Sequence, residues 1–196
     1  MDSIEVIKRR LKQSADIKIS IVEDLEMINM IKKVSDEILE TLKQNGKILI
    51  CGNGGSASDA LHMAGEMVGR FQTDRNGWPA IALNADVASI TAIANDYGYD
   101  KIFERATEAY MDKNDLLVGI STSGNSENVY RAILKAIEIG GKTVALLGKD
   151  GGKIGKSADY PIIIKSDITA RIQESHITVI HILCELVEQG YLNWRG

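Results

Sequence analysis

The strongest constraint on the fold of this chain is an alternation that begins at residue 47. Short apolar runs, Lys47–Cys51, Ala80–Leu83, Leu116–Ser121, Thr143–Leu147 and Tyr160–Ile164, are separated by longer stretches with helical periodicity at 56–69, 86–95, 101–112, 126–139 and about 169–189. A strand that is apolar on both sides must be covered on both faces, and helices between successive strands supply that cover. The pattern predicts an α/β fold with a parallel sheet and right-handed crossovers. Ligands in such sheets bind beyond the carboxyl ends of the strands.

Two helical segments precede the first strand. Residues 3–22 place Ile4, Ile7, Leu11, Ile17 and Ile21 among charges, with the pattern interrupted around Ser14–Asp16. Residues 25–45 carry a cleaner stripe of Ile28, Ile31, Val34, Ile38 and Leu42, and Asn45–Gly46 ends it. Residues 1–45 therefore read as a helical arm and 46–196 as the α/β unit, together effectively one domain. Apolar stripes of this length need a partner. The expectation is a homotetramer with dihedral symmetry, in which the last helix of one chain approaches the strand ends of another.

Composition excludes several classes. Net charge is −4 and no dense basic run occurs, which argues against nucleic acid as a partner. No stretch approaches the ~20 apolar residues of a membrane span, and the first residues, MDSIEVIKRR, lack a signal-peptide apolar region. The two cysteines, Cys51 and Cys184, lie inside apolar elements and read as buried thiols of a cytoplasmic protein.

Chemistry concentrates at the strand ends. The first strand runs into the turn Gly52–Asn53–Gly54–Gly55, and Ser56 opens a helix. Glycine allows close backbone approach, and the helix N-terminus favours an anion. A second stretch, Ser121–Thr122–Ser123–Gly124–Asn125–Ser126, is rich in hydroxyl and amide donors, and a third, Gly148–Gly155, is Gly-rich. Neither a G-x-G-x-x-G fingerprint nor a Gly-Lys-Ser/Thr phosphate loop follows the first strand, so a sugar phosphate fits better than NAD or ATP. His62 and Glu66 lie at i, i+4 on the first of these helices, a spacing that suits a metal ion or proton transfer and equally a solvated helix face. In the last helix, Gln173 and His181 differ by about 80° around the axis and ~12 Å along it. His181 lies between Ile180 and Ile182, which on its own reads as a core histidine, and His176 competes with it for a functional role.

The segments Cys51–Ala57, Gly119–Ser126 and Ala170–Glu174 resemble, in order, the motifs of the sugar isomerase (SIS) domain, specifically the phosphoheptose isomerases. The resemblance covers nearly the whole chain. It implies a flavodoxin-like three-layer sandwich with a five-stranded parallel sheet, a cytoplasmic homotetramer, and active sites at subunit interfaces. It implies interconversion of sedoheptulose 7-phosphate and D-glycero-D-manno-heptose 7-phosphate, the entry to nucleotide-heptose precursors for lipopolysaccharide or capsule. It implies Zn2+ held by His62, Glu66, Gln173 and His181. Substrate contacts are implied at Asn53, Gly54, Gly55, Ser56, Asn95, Asp96, Ser121, Thr122, Ser123, Ser126 and Gln173. One departure is Ala170, where some members carry an acid before the arginine.

The residue types suit this chemistry. A ketose–aldose interconversion moves one proton between C1 and C2 through a cis-enediol, with a base near both carbons and an acid to serve the oxygens. Glu66 is the candidate base and His181 its partner. Two rival readings are a non-catalytic SIS-like protein that binds the replication initiator and a sugar-phosphate-sensing module of a regulator. The resemblance implies that the first has the glutamate and second histidine replaced, whereas Glu66 and His181 are present here, and the second would need a fused DNA-binding partner.

Overall fold

A computed structural model describes residues 2–195. Helices α1 (Ser3–Glu23) and α2 (Leu25–Lys43) come first, then β1 (Ile48–Gly52), α3 (Gly55–Val68), β2 (Ala80–Ala82) and α4 (Val87–Tyr97). A 3-10 turn (Tyr99–Lys101) leads to α5 (Ile102–Tyr110), β3 (Leu116–Ser121), α6 (Glu127–Ile139) and β4 (Lys142–Gly148). The one-turn α7 (Gly152–Gly155), β5 (Tyr160–Ile164) and α8 (Thr169–Arg195) complete the chain. The five strands are all parallel in the order β2-β1-β3-β4-β5, the flavodoxin-like arrangement.

Strand alternation sorts side chains onto two cores. Ile48 and Ile50 of β1, Leu116, Val118 and Ile120 of β3, and Val144 and Leu146 of β4 face α2, α3 and α8. Leu49, Cys51, Leu117, Ala145 and Leu147 face the layer of α5 and α6. At ~1.5–3 kcal/mol for each fully buried aliphatic side chain, these two layers are the main favourable term in folding. Gly119 sets the spacing of one of them. A Cβ there would stand 2.9 Å from Val129 Cγ1, so α6 could not keep its distance from β3.

The two N-terminal helices behave differently from one another. Asp24 separates them and accepts from Met27 N–H as the cap of α2. Ile31, Val34, Ile38 and Leu42 of α2 are buried in the core of their own chain, packed with α8 and β5. No residue of α1 is buried. The pattern interruption at Ser14–Asp16 does not break the backbone. It marks a change of partner: Ile17 and Ile21 pack against the core, whereas Ile4, Ile7 and Leu11 stay exposed.

Three expectations need adjusting. The Gly148–Gly155 stretch contains α7, a single turn that loop-like composition conceals. The final helix runs past residue 189 to Arg195. The core histidine is His176, fully buried with Nε2 2.9 Å from the Leu147 carbonyl, and not His181, which is half-exposed.

Candidate active site

The sheet reverses its winding between β1 and β3, and the turns that follow these strands lie side by side there. Helices α1, α2 and α4 begin with an aspartate whose carboxylate accepts a backbone N–H. Helices α3 and α6, which follow β1 and β3, have no such side-chain cap. Gly54, at φ +57°, turns the chain into α3, a conformation that an L side chain would strain. Two helix N-termini without side-chain caps thus converge at the switch point, as an anion site requires.

The polar residues of both turns are held in defined positions. Ser121 Oγ lies 2.9 Å from Ser126 Oγ and 3.4 Å from Ser123 Oγ, and Ser123 Oγ accepts from Asn125 N–H. Gly124 allows this loop to rest on the α7 turn, since a Cβ there would stand 2.2 Å from the Gly151 carbonyl oxygen. Thr122 is half-buried in the same loop. Asn53 exchanges two hydrogen bonds with Asn128, at 2.8 and 2.9 Å, and accepts a third from the Tyr99 hydroxyl. Asn95 and Asp96 sit exposed in the last turn of α4, where Asn95 Nδ2 donates to Asp96 Oδ1. From that segment it is Tyr99 that reaches the first turn.

Along α3 lies the second half of the site. His62 Nε2 is 3.0 Å from Glu66 Oε1, as the i, i+4 spacing predicts. His181 Nε2, from α8, stands 3.2 Å from His62 Nε2. The ligand atoms of His62, Glu66 and His181 all lie within 4.8 Å of one another, so the three could hold a metal ion. Gln173 meets α3 further up. A Cβ on Gly55 would be 2.3 Å from Gln173 Nε2, and only glycine lets that amide rest on the turn. Helices α3 and α8 therefore run side by side, with Gln173 against Gly55 and His181 against His62. The expectation that a neighbouring subunit's last helix supplies Gln173 and His181 is corrected by this arrangement. The same chain's α8 packs directly on α3 and delivers both.

Residues absent from the sequence reading complete the setting. Asp59, one turn before His62, has an oxygen with no hydrogen-bond partner among the described residues. Burial pushes its carboxyl up to about 6, against the opposing pull of His62. The Phe71 ring stacks near His181, with centroids 5.8 Å apart. Glu188 and Arg75 form a buried pair beneath them. Asn128, a polar residue on the sheet-facing side of α6, is the one whose position two residues after Ser126 offered a signal.

The sequence pattern of the SIS domain matches residues 12–148, well over half of the chain. The phosphoheptose isomerase of Geotalea daltonii is 48% identical over 192 residues, covering 98% of this chain and 99% of the relative. The chain belongs to the phosphoheptose isomerases of the SIS domain family. Another member, from Helicobacter pylori strain Shi470, is 54% identical over 80% of this chain and 81% of its own. Among solved phosphoheptose isomerases, that of Neisseria gonorrhoeae superposes with a TM-score of 0.90 at 39% identity, covering 96% of this chain and all of that one. That of Francisella tularensis gives 0.92 at 35% identity with the same coverage. The phosphoheptose isomerase fold thus extends over nearly the whole chain.

Proposed function

We propose that this chain is an aldose–ketose isomerase that interconverts sedoheptulose 7-phosphate and D-glycero-D-manno-heptose 7-phosphate, the entry to nucleotide-heptose precursors. The observation that carries the reading is the meeting of His62, Glu66 and His181 at one point, from two helices, beside a turn built for an anion. The family membership supports the same reading. Asn53, Gly54, Gly55 and Ser56, with Ser121, Thr122, Ser123 and Ser126, hold the phosphate through backbone and hydroxyl donors. Asn95 and Asp96 contact the sugar chain.

The donor set suits zinc. Two nitrogens bound to one tetrahedral zinc at ~2.05 Å stand about 3.3 Å apart, and the His62 and His181 nitrogens stand 3.2 Å apart. Glu66 would supply an oxygen donor, and Gln173, whose amide rests against Gly55, would be the fourth group only if that amide turned towards the cluster. A zinc ion bound there would act as a Lewis acid on the carbonyl and enediolate oxygens. Glu66 removes the proton from one carbon and returns it to the other on the same face of the enediol. His181 moves the hydroxyl proton between O1 and O2 when its Nε2 is not held by a metal. A carboxylate bound to a metal is a weak base, so Glu66 would act as ligand and as base in different states of the site.

Among the described residues no helix is long and apolar enough to cross a membrane. The proposed setting is a homotetramer in the cytoplasm, with α1 supplying apolar contacts between subunits. The deciding experiment is an isomerase assay on sedoheptulose 7-phosphate, with and without added zinc. Formation of the aldose is the expected outcome, and no turnover by the metal-loaded protein would overturn the reading.

A further inference from the structure

Glu188 lies seven residues after His181, about 20° away around α8 and ~10 Å along it. Its side chain is only 3% exposed. A carboxylate so far from water must be paired and hydrogen-bonded. Three successive backbone N–H groups, of Phe71, Gln72 and Thr73, donate to it at 2.6–3.2 Å. Arg75 Nε adds a fourth contact at 3.1 Å. Burial pushes this carboxyl up, but the Thr73, Gln72 and Phe71 hydrogen bonds outweigh it and leave it below the usual range.

Arg75 carries the contact back to the site. Its guanidinium lies 3.4 Å from the Trp78 ring centroid and donates to the carbonyls of Glu66 at 2.9 Å, Met67 at 3.0 Å and Asn76 at 3.1 Å. One buried pair therefore grips both helices that bear the His/Glu cluster. It holds α8 through Glu188, the end of α3 at the backbone of Glu66, and the loop that seats Phe71 against the His181 ring. The phosphate turn lies at the opposite end of α3, where the pair makes no contact.

We propose that Glu188, Arg75 and Phe71 are positioning residues for the isomerase site: they fix the His181 ring and the Glu66 backbone so that both side chains meet His62. The inference rests on the isomerase reading above. A device of this kind acts on the reacting end of the substrate. Its loss lowers kcat and metal affinity while leaving phosphate capture intact.

The test uses the full chain with Glu188→Gln, Phe71→Ala and Phe71→Tyr. Each is assayed for kcat and KM on sedoheptulose 7-phosphate. Zinc affinity of the metal-free protein is measured by competition with a chromophoric chelator. Glu188→Gln and Phe71→Ala are expected to lower kcat and zinc affinity by about tenfold or more, as loss of groups behind metal ligands does, with KM within about twofold. Phe71→Tyr, which keeps the ring, restores both. Parental kcat and zinc affinity in Phe71→Ala would overturn the proposal. So would losses that track the folded fraction, a rise in KM equal to the fall in kcat, or no rescue by tyrosine. If Glu188→Gln does not fold, the Phe71 pair decides alone. A parent protein that neither isomerises nor binds zinc overturns the isomerase reading itself, whereas failure of the clamp shows only in the variants.

Discussion

His62 Nε2 and His181 Nε2 stand 3.2 Å apart although 119 residues separate them in sequence. Two unprotonated ring nitrogens at that distance repel unless a proton or a cation lies between them. Their approach is held by the packing of α3 on α8, which brings a turn of each helix into register.

The role of Glu66 is open to direct trial. Glu66→Gln keeps the size and the hydrogen bond to His62 while removing the base. Turnover of sedoheptulose 7-phosphate should fall ~10²–10⁴-fold, the usual loss for general base catalysis. Near-parental kcat would assign the proton transfer to another group.

Thr122 is half-buried in the loop whose Ser121, Ser123 and Ser126 hydroxyls lie together. Thr122→Val keeps its shape and removes one donor. Substrate affinity should weaken by roughly 1–3 kcal/mol, because a phosphate oxygen loses its partner in a partly dry site. Calorimetric titration with substrate on the Glu66→Gln background measures this without turnover. Unchanged affinity would exclude Thr122 as a contact.

His176 makes stability depend on pH. Burial lowers its pKa to about 4, against the opposing effect of the Leu147 carbonyl. The unfolded chain carries a histidine of ordinary pKa, near 6.5, so between these values the unfolded state binds more protons. Stability is then full above about pH 6.5 and falls as pH drops towards 4, by ~3 kcal/mol in all. Urea unfolding at pH 4.5 and 7.5 should show this slope, and His176→Leu should flatten it. An equal slope in the variant would place the effect elsewhere.

The exposed stripe of α1 predicts assembly. Ile4, Ile7 and Leu11 are 58–68% exposed. At ~1.5–3 kcal/mol per buried aliphatic side chain, their cover by another subunit is strongly favourable. Light scattering at low micromolar concentration should give four times the 21.4 kDa chain mass. Ile7→Asp with Leu11→Asp should shift that species towards smaller ones. A monodisperse monomer with full isomerase activity would refute the tetramer.

Much of this architecture is legible in the residues themselves. The apolar runs of β1, β3 and β4 are local signals, and each lies in the sheet where the alternation puts it. The turn at Gly52–Gly55 and the pairing of His62 with Glu66 are also local, set by one strand end and one helical period. What local pattern could not show is the register between α3 and α8, which arises from packing across the same face of the sheet. For that reason His181 read as a core residue between Ile180 and Ile182, while the truly buried His176 read as its rival. Glu188 was hidden for the same cause. Nothing in its neighbours Val187 and Gln189 announces that a distant loop will bring it three N–H groups.

The parallel course of α3 and α8 has a consequence for which sugars can react. Gly55 and His62 on one helix, and Gln173 and His181 on the other, mark the same two levels, ~10–12 Å apart by helical rise. Backbone hydrogen bonds fix that interval, and no side-chain rearrangement alters it. A ketose phosphate anchored at the upper level presents its carbonyl to the lower one only if its carbon chain is long enough. On the proposed site assignment the two helices would gauge chain length, and competition by shorter ketose phosphates, expected to bind without turning over, would read the calibration.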